Sequence, residues 1–256
     1  MNTCISLSAR PVCTLTVIAL LTGCSANTPL PPPRSGVEPA VGTGFTLPAL
    51  LAVPPQADSA ASAHDLLDAT WYATFELAPQ RTPEAAAPYA TCSAYLERAH
   101  EQLAPVDESA AAAFMEIAAM CEATALIAQA RPAAHSWIGD AAIDEALPVH
   151  LPAEFALRVA ESGRIPAGDE RRWAEVEPDI EGHRLAADSV RFSHPHGIQE
   201  IALVARADFD GDGIEDLLLL SRDYVDAGSY AAFRLFLLTR LENGEPYRTI
   251  RLFPRS

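Results

Sequence analysis

One nine-residue stretch constrains this chain more than any other: Asp208-Phe209-Asp210-Gly211-Asp212-Gly213-Ile214-Glu215-Asp216, followed at once by Leu217–Leu220. Aspartate is a poor strand former and glycine a poor helix former, so the segment must be a loop between separate elements. Its surroundings read as β-structure. After Gly182 the strand candidates are Asp188–Ser193, Ile198–Ala207, Leu217–Arg222, Ala231–Leu241 and Tyr247–Phe253, with Asn243-Gly244 as a hairpin signal. Short connections imply an antiparallel meander of about five strands over residues 182–256. Leu217–Leu220 and Phe233–Leu238 are apolar at every position, so the central strands are expected to be covered on both faces.

The covering layer is expected from residues 59–181, whose composition is rich in Ala, Leu and Glu. His64–Leu77 spaces Leu67, Trp71 and Phe75 at i, i+4 and i+8, a helical stripe. Pro88–Leu103 and Glu108–Ala130 read as two further helices joined at Pro105-Val106-Asp107, with Asp107 as a cap. An antiparallel helical hairpin would place Cys92 and Cys121 equally far from the turn and within reach of a disulfide; two separately buried thiols are the alternative. Pro152–Glu161 and Arg171–Glu177 read as short helices. The fold class expected is therefore α+β, an N-terminal helical hairpin region followed by the β meander.

The first 24 residues belong to a different kind of segment. Arg10 precedes the apolar run Val12–Leu21, which ends in Leu21-Thr22-Gly23-Cys24. A basic start, a short apolar core and small residues read as a secretory leader over residues 1–23, and the run is too short to span a bilayer as a helix. Residues 25–57 then hold eight prolines, Pro31-Pro32-Pro33 among them. Such a tract is a semi-rigid spacer, so residues 24–58 are expected to tether the domain. The apolar patch Phe45–Val53 offers an alternative, docking on the domain.

Charge narrows the partners. Without Arg10 the chain keeps 17 arginines against 34 acids, a net of −17, and it has no lysine. This surface offers nothing to nucleic acid and is repelled by anionic headgroups. Cys4 and Cys13 leave with the leader. Cys92 and Cys121 remain as an even pair outside any redox or zinc spacing, which suits an oxidising compartment.

The ending Leu-Thr-Gly-Cys resembles the lipobox of bacterial lipoproteins. That resemblance implies an acylated Cys24 at the mature N-terminus and, with Ser25 following, an outer-membrane anchor facing the periplasm or the cell surface.

Within the acidic loop, Asp208, Asp210, Asp212 and Asp216 occupy positions 1, 3, 5 and 9. A curled loop can turn all four carboxylates inward, with the Ile214 carbonyl at position 7 and Gly213 permitting the turn. An all-oxygen shell of this size suits Ca²⁺, whereas zinc would ask for His or Cys. A helix–loop–helix calcium site is excluded, because position 12 is Leu219 and the flanks are strands. The pattern Asp-x-Asp-x-Asp-Gly-x-x-Asp between strands resembles the calcium loops of integrin-type, FG-GAP and VCBS repeats. There the equivalents of Asp208, Asp210, Asp212 and Asp216 bind through side chains and that of Ile214 through its carbonyl. Those proteins repeat the unit around a ring; this chain has one copy.

Other chemistry is sparse. His194-Pro195-His196 lacks a third ligand nearby, and His100-Glu101 lacks the second His of a metalloprotease helix. No nucleophile elbow, phosphate loop or dinucleotide fingerprint is present. The expected function is a non-enzymatic, lipid-anchored, calcium-binding module of the cell envelope. Its partner would be a basic envelope protein, such as a cell-wall hydrolase that it inhibits. A glycan or peptidoglycan hydrolase and a structural envelope component are the alternatives.

Overall fold

The computed structural model describes residues 33–55, 62–139, 143–157, 169–225 and 231–254; the leader and Cys24 lie outside them. In chain order the first elements are β1 (Arg34–Val37), β2 (Ala40–Val41), α1 (Ala63–Asp68), β3 (Phe75–Pro79), β4 (Ala87–Tyr89), α2 (Cys92–Arg98), β5 (Leu103–Pro105) and α3 (Ala111–Ile127). There follow β6 (Ala133–Ser136), α4 (Leu147–His150), α5 (Trp173–Val176), β7 (Glu181–Ala186) and β8 (Ser189–His194). The chain closes with β9 (Gly197–Ala207), β10 (Asp216–Val225), β11 (Ala231–Thr239) and β12 (Arg248–Phe253).

The main sheet runs β12-β11-β10-β9-β8-β7, each neighbour antiparallel and adjacent in sequence, which is the expected meander with one strand more. The additional strand, β7, is nearly all exposed, so it carries no apolar alternation by which to recognise it. A seventh strand, β2, pairs with β9 at Arg206 and Ala205, beyond the point where β8 stops at Ala202.

Period-two alternation sends the leucines of β10 to opposite sides. Leu218 and Leu220 join Phe114, Ile117 and Met120 of α3 and Leu235 of β11 in one core. Leu217 and Leu219 meet Phe155, Trp173, Phe192 and Phe236 in the other. All four leucines are fully buried, each contributing on the order of 2 kcal/mol. The central strands are thus covered on both faces, as their composition requires.

The helical hairpin is not formed. Pro88 lies in β4, α2 occupies only Cys92–Arg98, and Gln102 adopts a left-handed conformation (φ 56°) that ends the helical path. β5 then pairs with β3, which also holds β4, making a small three-stranded sheet where helix was expected. The reason is local: each of these strands contains a proline at an end or centre, and a proline has no amide to continue a helix. Helix α1 is likewise short. It starts at a capping box in which the Ser62 hydroxyl accepts from Asp65 N at 3.1 Å and Asp65 accepts from Ser62 N at 3.2 Å, and it ends at Asp68. Phe75 belongs to β3 instead.

The long helix is where the sequence places it, and Cys92 is bonded to Cys121 with the two Cα atoms 5.1 Å apart. The disulfide ties the first turn of α2 to the middle of α3.

Part of the expected tether is folded. Leu47 and Leu51 are buried in the α3-side core. Gly42 N and Gly44 N donate to the carbonyls of Val204 and Leu203. A Cβ at either glycine would sit within 2.6 Å of the Leu203 oxygen, so only glycine admits this approach. The patch at Phe45–Val53 docks rather than spaces.

Candidate metal centre

β9 ends at Ala207 and β10 begins at Asp216, so the acidic loop is a strand–loop–strand connection. Two glycines with positive φ curl it, Gly211 at 87° and Gly213 at 85°. Gly213 meets the expectation, while Gly211 adds a second left-handed position.

Three aspartates converge. One carboxylate oxygen from each of Asp208, Asp210 and Asp216 lies within 4.8 Å of the others. The loop's own amides organise them. Asp208 accepts from Gly211 N at 2.6 Å and Gly213 N at 3.0 Å, and Asp216 accepts from Phe209 N at 3.0 Å. Asp210 accepts from Asp212 N at 3.1 Å, and Asp212 from Ile214 N at 2.7 Å. Asp212 stands beside this group rather than in it, close enough to Asp210 and Asp208 that burial and their charges raise its carboxyl. The Ile214 carbonyl accepts none of these bonds, whereas the Gly213 carbonyl accepts from both Ala134 N and His135 N.

Electrostatics single out Asp216. It is fully buried, and its Oδ1 meets no donor in hydrogen-bonding geometry. Burial drives its carboxyl up to about 7, opposed by the Phe209 amide and the Thr239 hydroxyl and reinforced by the charges of Asp210 and Asp212. Among the described residues no ion pair reaches Asp208, Asp210 or Asp216. The Arg131 guanidinium passes beside Gly211 without pairing to any of them. Three convergent carboxylates, two of them buried and none paired with a cation among the described residues, make an oxygen-only group that can hold a metal ion.

The residue between Ile214 and Asp216 was not legible as part of any site. Glu215 is fully buried and accepts from Arg206 through Nε at 2.6 Å and Nη2 at 2.8 Å. The Ser136 hydroxyl also donates to it, and Arg34 Nη2 lies 3.5 Å away. These partners stand 79 and 181 residues off in sequence, so no local spacing announces them.

A cavity of about 520 Å³ opens between α2, α3 and the β11–β12 edge, with Tyr95, His100, Phe114, Glu122, Phe233 and Arg251 on its walls. Burial, with the nearby charge of Glu122, raises the Tyr95 phenol. Glu122 is the one carboxylate among its described lining residues. His194, the histidine of the His-Pro-His turn, points inward, stacked on Trp173 and 3.3 Å from Glu177, while His196 stands away from it in the turn.

No family model, no curated protein and no solved structure matches this chain.

Proposed function

We propose that this chain is a lipid-anchored envelope protein whose acidic loop binds calcium, and that its task is binding rather than catalysis. The observation that carries the reading is the uncompensated buried carboxylate of Asp216 beside Asp208 and Asp210. A divalent cation there would neutralise the group, with the Asp212 carboxylate and Ile214 carbonyl completing an oxygen shell. Calcium fits the number of oxygens and the absence of nitrogen or sulfur donors in the loop, and the ligand spacing is that of the repeat loops the segment resembles. Affinity of about 10⁻⁴–10⁻³ M, usual for extracellular modules, would make the ion a structural one.

The compartment is supported by the Cys92–Cys121 disulfide, which persists where thiols are oxidised, and by the leader ending at Cys24. The partner class follows from charge. A net of −17 on a domain without lysine favours encounter with a strongly basic protein, and a lysozyme-like cell-wall hydrolase is the form in which the envelope presents one.

The test has two arms. Melting of the wild-type chain and of Asp210→Ala is compared in EDTA and in millimolar calcium; stabilisation by calcium of the wild type alone supports the site, and equal responses remove it. A basic muramidase acting on purified cell wall is then assayed with the chain added. Inhibition that grows with calcium supports the binding role, and cell-wall turnover by the chain alone overturns it.

A further inference from the structure

The acidic loop is one side of a three-part ladder whose far side is the first described strand of the chain. The middle part is the strap of residues 131–136. On its loop side, Arg131 and Asp208 exchange both backbone hydrogen bonds at 3.0 Å, the Gly213 carbonyl takes two amides, and Glu215 N donates to the His135 carbonyl at 2.8 Å. On its other side the strap is β6, which pairs antiparallel with β1 through Arg34↔Ser136, Ser35↔His135 and Val37↔Ala133.

A side-chain path runs alongside this backbone path. Glu215, immediately before Asp216, receives Ser136 of β6 and lies 3.5 Å from Arg34, the first residue of β1. Arg34 also donates to the Ile138 carbonyl at 2.8 Å and lies 3.4 Å from the Ser136 hydroxyl.

β1 is the weak member of the ladder. It has four residues, three of them exposed, and among the described residues it pairs with β6 alone. A two-stranded ribbon is marginal in water by itself, so its stability is that of the strap it leans on. The next anchor along the chain is of another kind. Residues 40–44 are seated on β9 by backbone bonds and by two glycines that admit the close approach.

We infer that cation occupancy of the acidic loop is coupled to docking of β1, so that the ion sets where the N-terminal spacer ends. This rests on the metal reading of the loop and on the spacer expected from the sequence ahead of Arg34. Without an ion Asp208 and Asp210 repel each other across less than 4.8 Å and Asp216 stays buried with no cation beside it, so the loop loses the order that holds Asp208, Gly213 and Glu215 against the strap. With the ion the ladder closes and the spacer ends at Arg34. Undocking of β1 moves that end to Ala40 and returns six residues, or about 20 Å of reach, to the tether. Coupling of this kind is reciprocal: the factor by which the cation favours docking of β1 is the factor by which docking favours the cation.

Backbone hydrogen exchange of the full chain in detergent, with calcium or with EDTA, reads the coupling directly. Protection of residues 34–37 is expected to rise about fivefold or more in calcium, while residues 40–44 and α3 stay unchanged. Asp210→Ala should abolish that rise. Arg34→Ala should free residues 34–37 to exchange and weaken calcium binding, measured by calorimetry, by up to the same factor of about five. If calcium binds and residues 34–37 exchange equally in both conditions, or if Arg34→Ala frees residues 34–37 yet binds calcium with wild-type affinity, the coupling is overturned while the site stands. If calorimetry detects no calcium binding to the wild type, the metal reading itself falls, and the inference with it.

Discussion

Glu215 and Asp216 are neighbours in sequence, equally buried and both acidic, yet the fold treats them in opposite ways. Glu215 meets two nitrogens of Arg206 and the Ser136 hydroxyl, with Arg34 close by. Asp216 has the Phe209 amide on one oxygen and the Thr239 hydroxyl close enough to lower its carboxyl, but its other oxygen meets no donor in hydrogen-bonding geometry and no cation is paired with it. A third fully buried carboxylate, Asp223, follows the first pattern: Arg234 lies 2.8 Å from it, and Ser221 and Gln199 donate at 2.5 and 3.0 Å. A buried charge is tolerated when its counter-charge is built into the chain. Where the chain supplies none, as at Asp216, either a proton or a cation from solution must serve. The contrast separates a carboxylate whose cation is built into the chain from one whose charge the chain leaves uncompensated.

The comparison breaks most visibly at Glu215. Glu215→Gln removes the buried negative charge that faces Arg206 and Arg34, and a loss of about 3–5 kcal/mol is expected in denaturant unfolding, with or without calcium. A loss that calcium restores would mean that Glu215 belongs to the ion site instead. Next in size is the disulfide, which joins the helical layer at a distance from both acids. Cys92→Ala with Cys121→Ala should cost about 3–4 kcal/mol while leaving calcium affinity unaltered.

Asp216→Asn should act with the opposite sign. The amide removes a buried charge, so the calcium-free variant at neutral pH should match or exceed the wild type by up to a few kcal/mol, and calcium should no longer stabilise it. A variant that is less stable in EDTA and still responds to calcium would contradict the contrast.

The pH dependence sharpens the same point. In the folded, ion-free protein the Asp216 carboxyl keeps its proton up to about 7, whereas the unfolded chain loses it near the ordinary aspartate value of 3.8. Between these values the folded state binds more protons, so stability contributed by this group is full below about 4 and falls as pH rises to about 7. Melting temperature in EDTA should carry that downward component across the window. Asp216→Asn should lack it, and saturating calcium should cancel it.

The smallest stability effect belongs to Asp210. It is exposed, so Asp210→Asn should change stability in EDTA by no more than about 0.5 kcal/mol, yet weaken calcium about tenfold by removing one charge from the shell.

Much of this was legible without coordinates. The leucines of β10 had to face two cores because a strand alternates every residue and Leu217–Leu220 offers no polar side to water. The acidic loop had to interrupt two strands, since Asp and Gly continue neither strand nor helix well. The 29-residue separation of Cys92 and Cys121 suited a bridge even though the hairpin invoked for it does not form. It survived that error because a shared core, rather than two antiparallel long helices, brings the cysteines together.

What only the tertiary structure decided is the fate of each charge. Periodicity reports which face a residue is on, but the partner of a buried carboxylate is chosen by chain segments far apart in sequence. Ser136 and Arg34 reach Glu215 through β6 and β1, two short strands without an apolar alternation to betray them. The sequence by itself determined an acidic strand–loop–strand unit between covered strands. Folding determined that one of its acids is answered by a cation from within the chain and the next is not, because desolvation and counter-charge are properties of the packed neighbourhood and not of the residue.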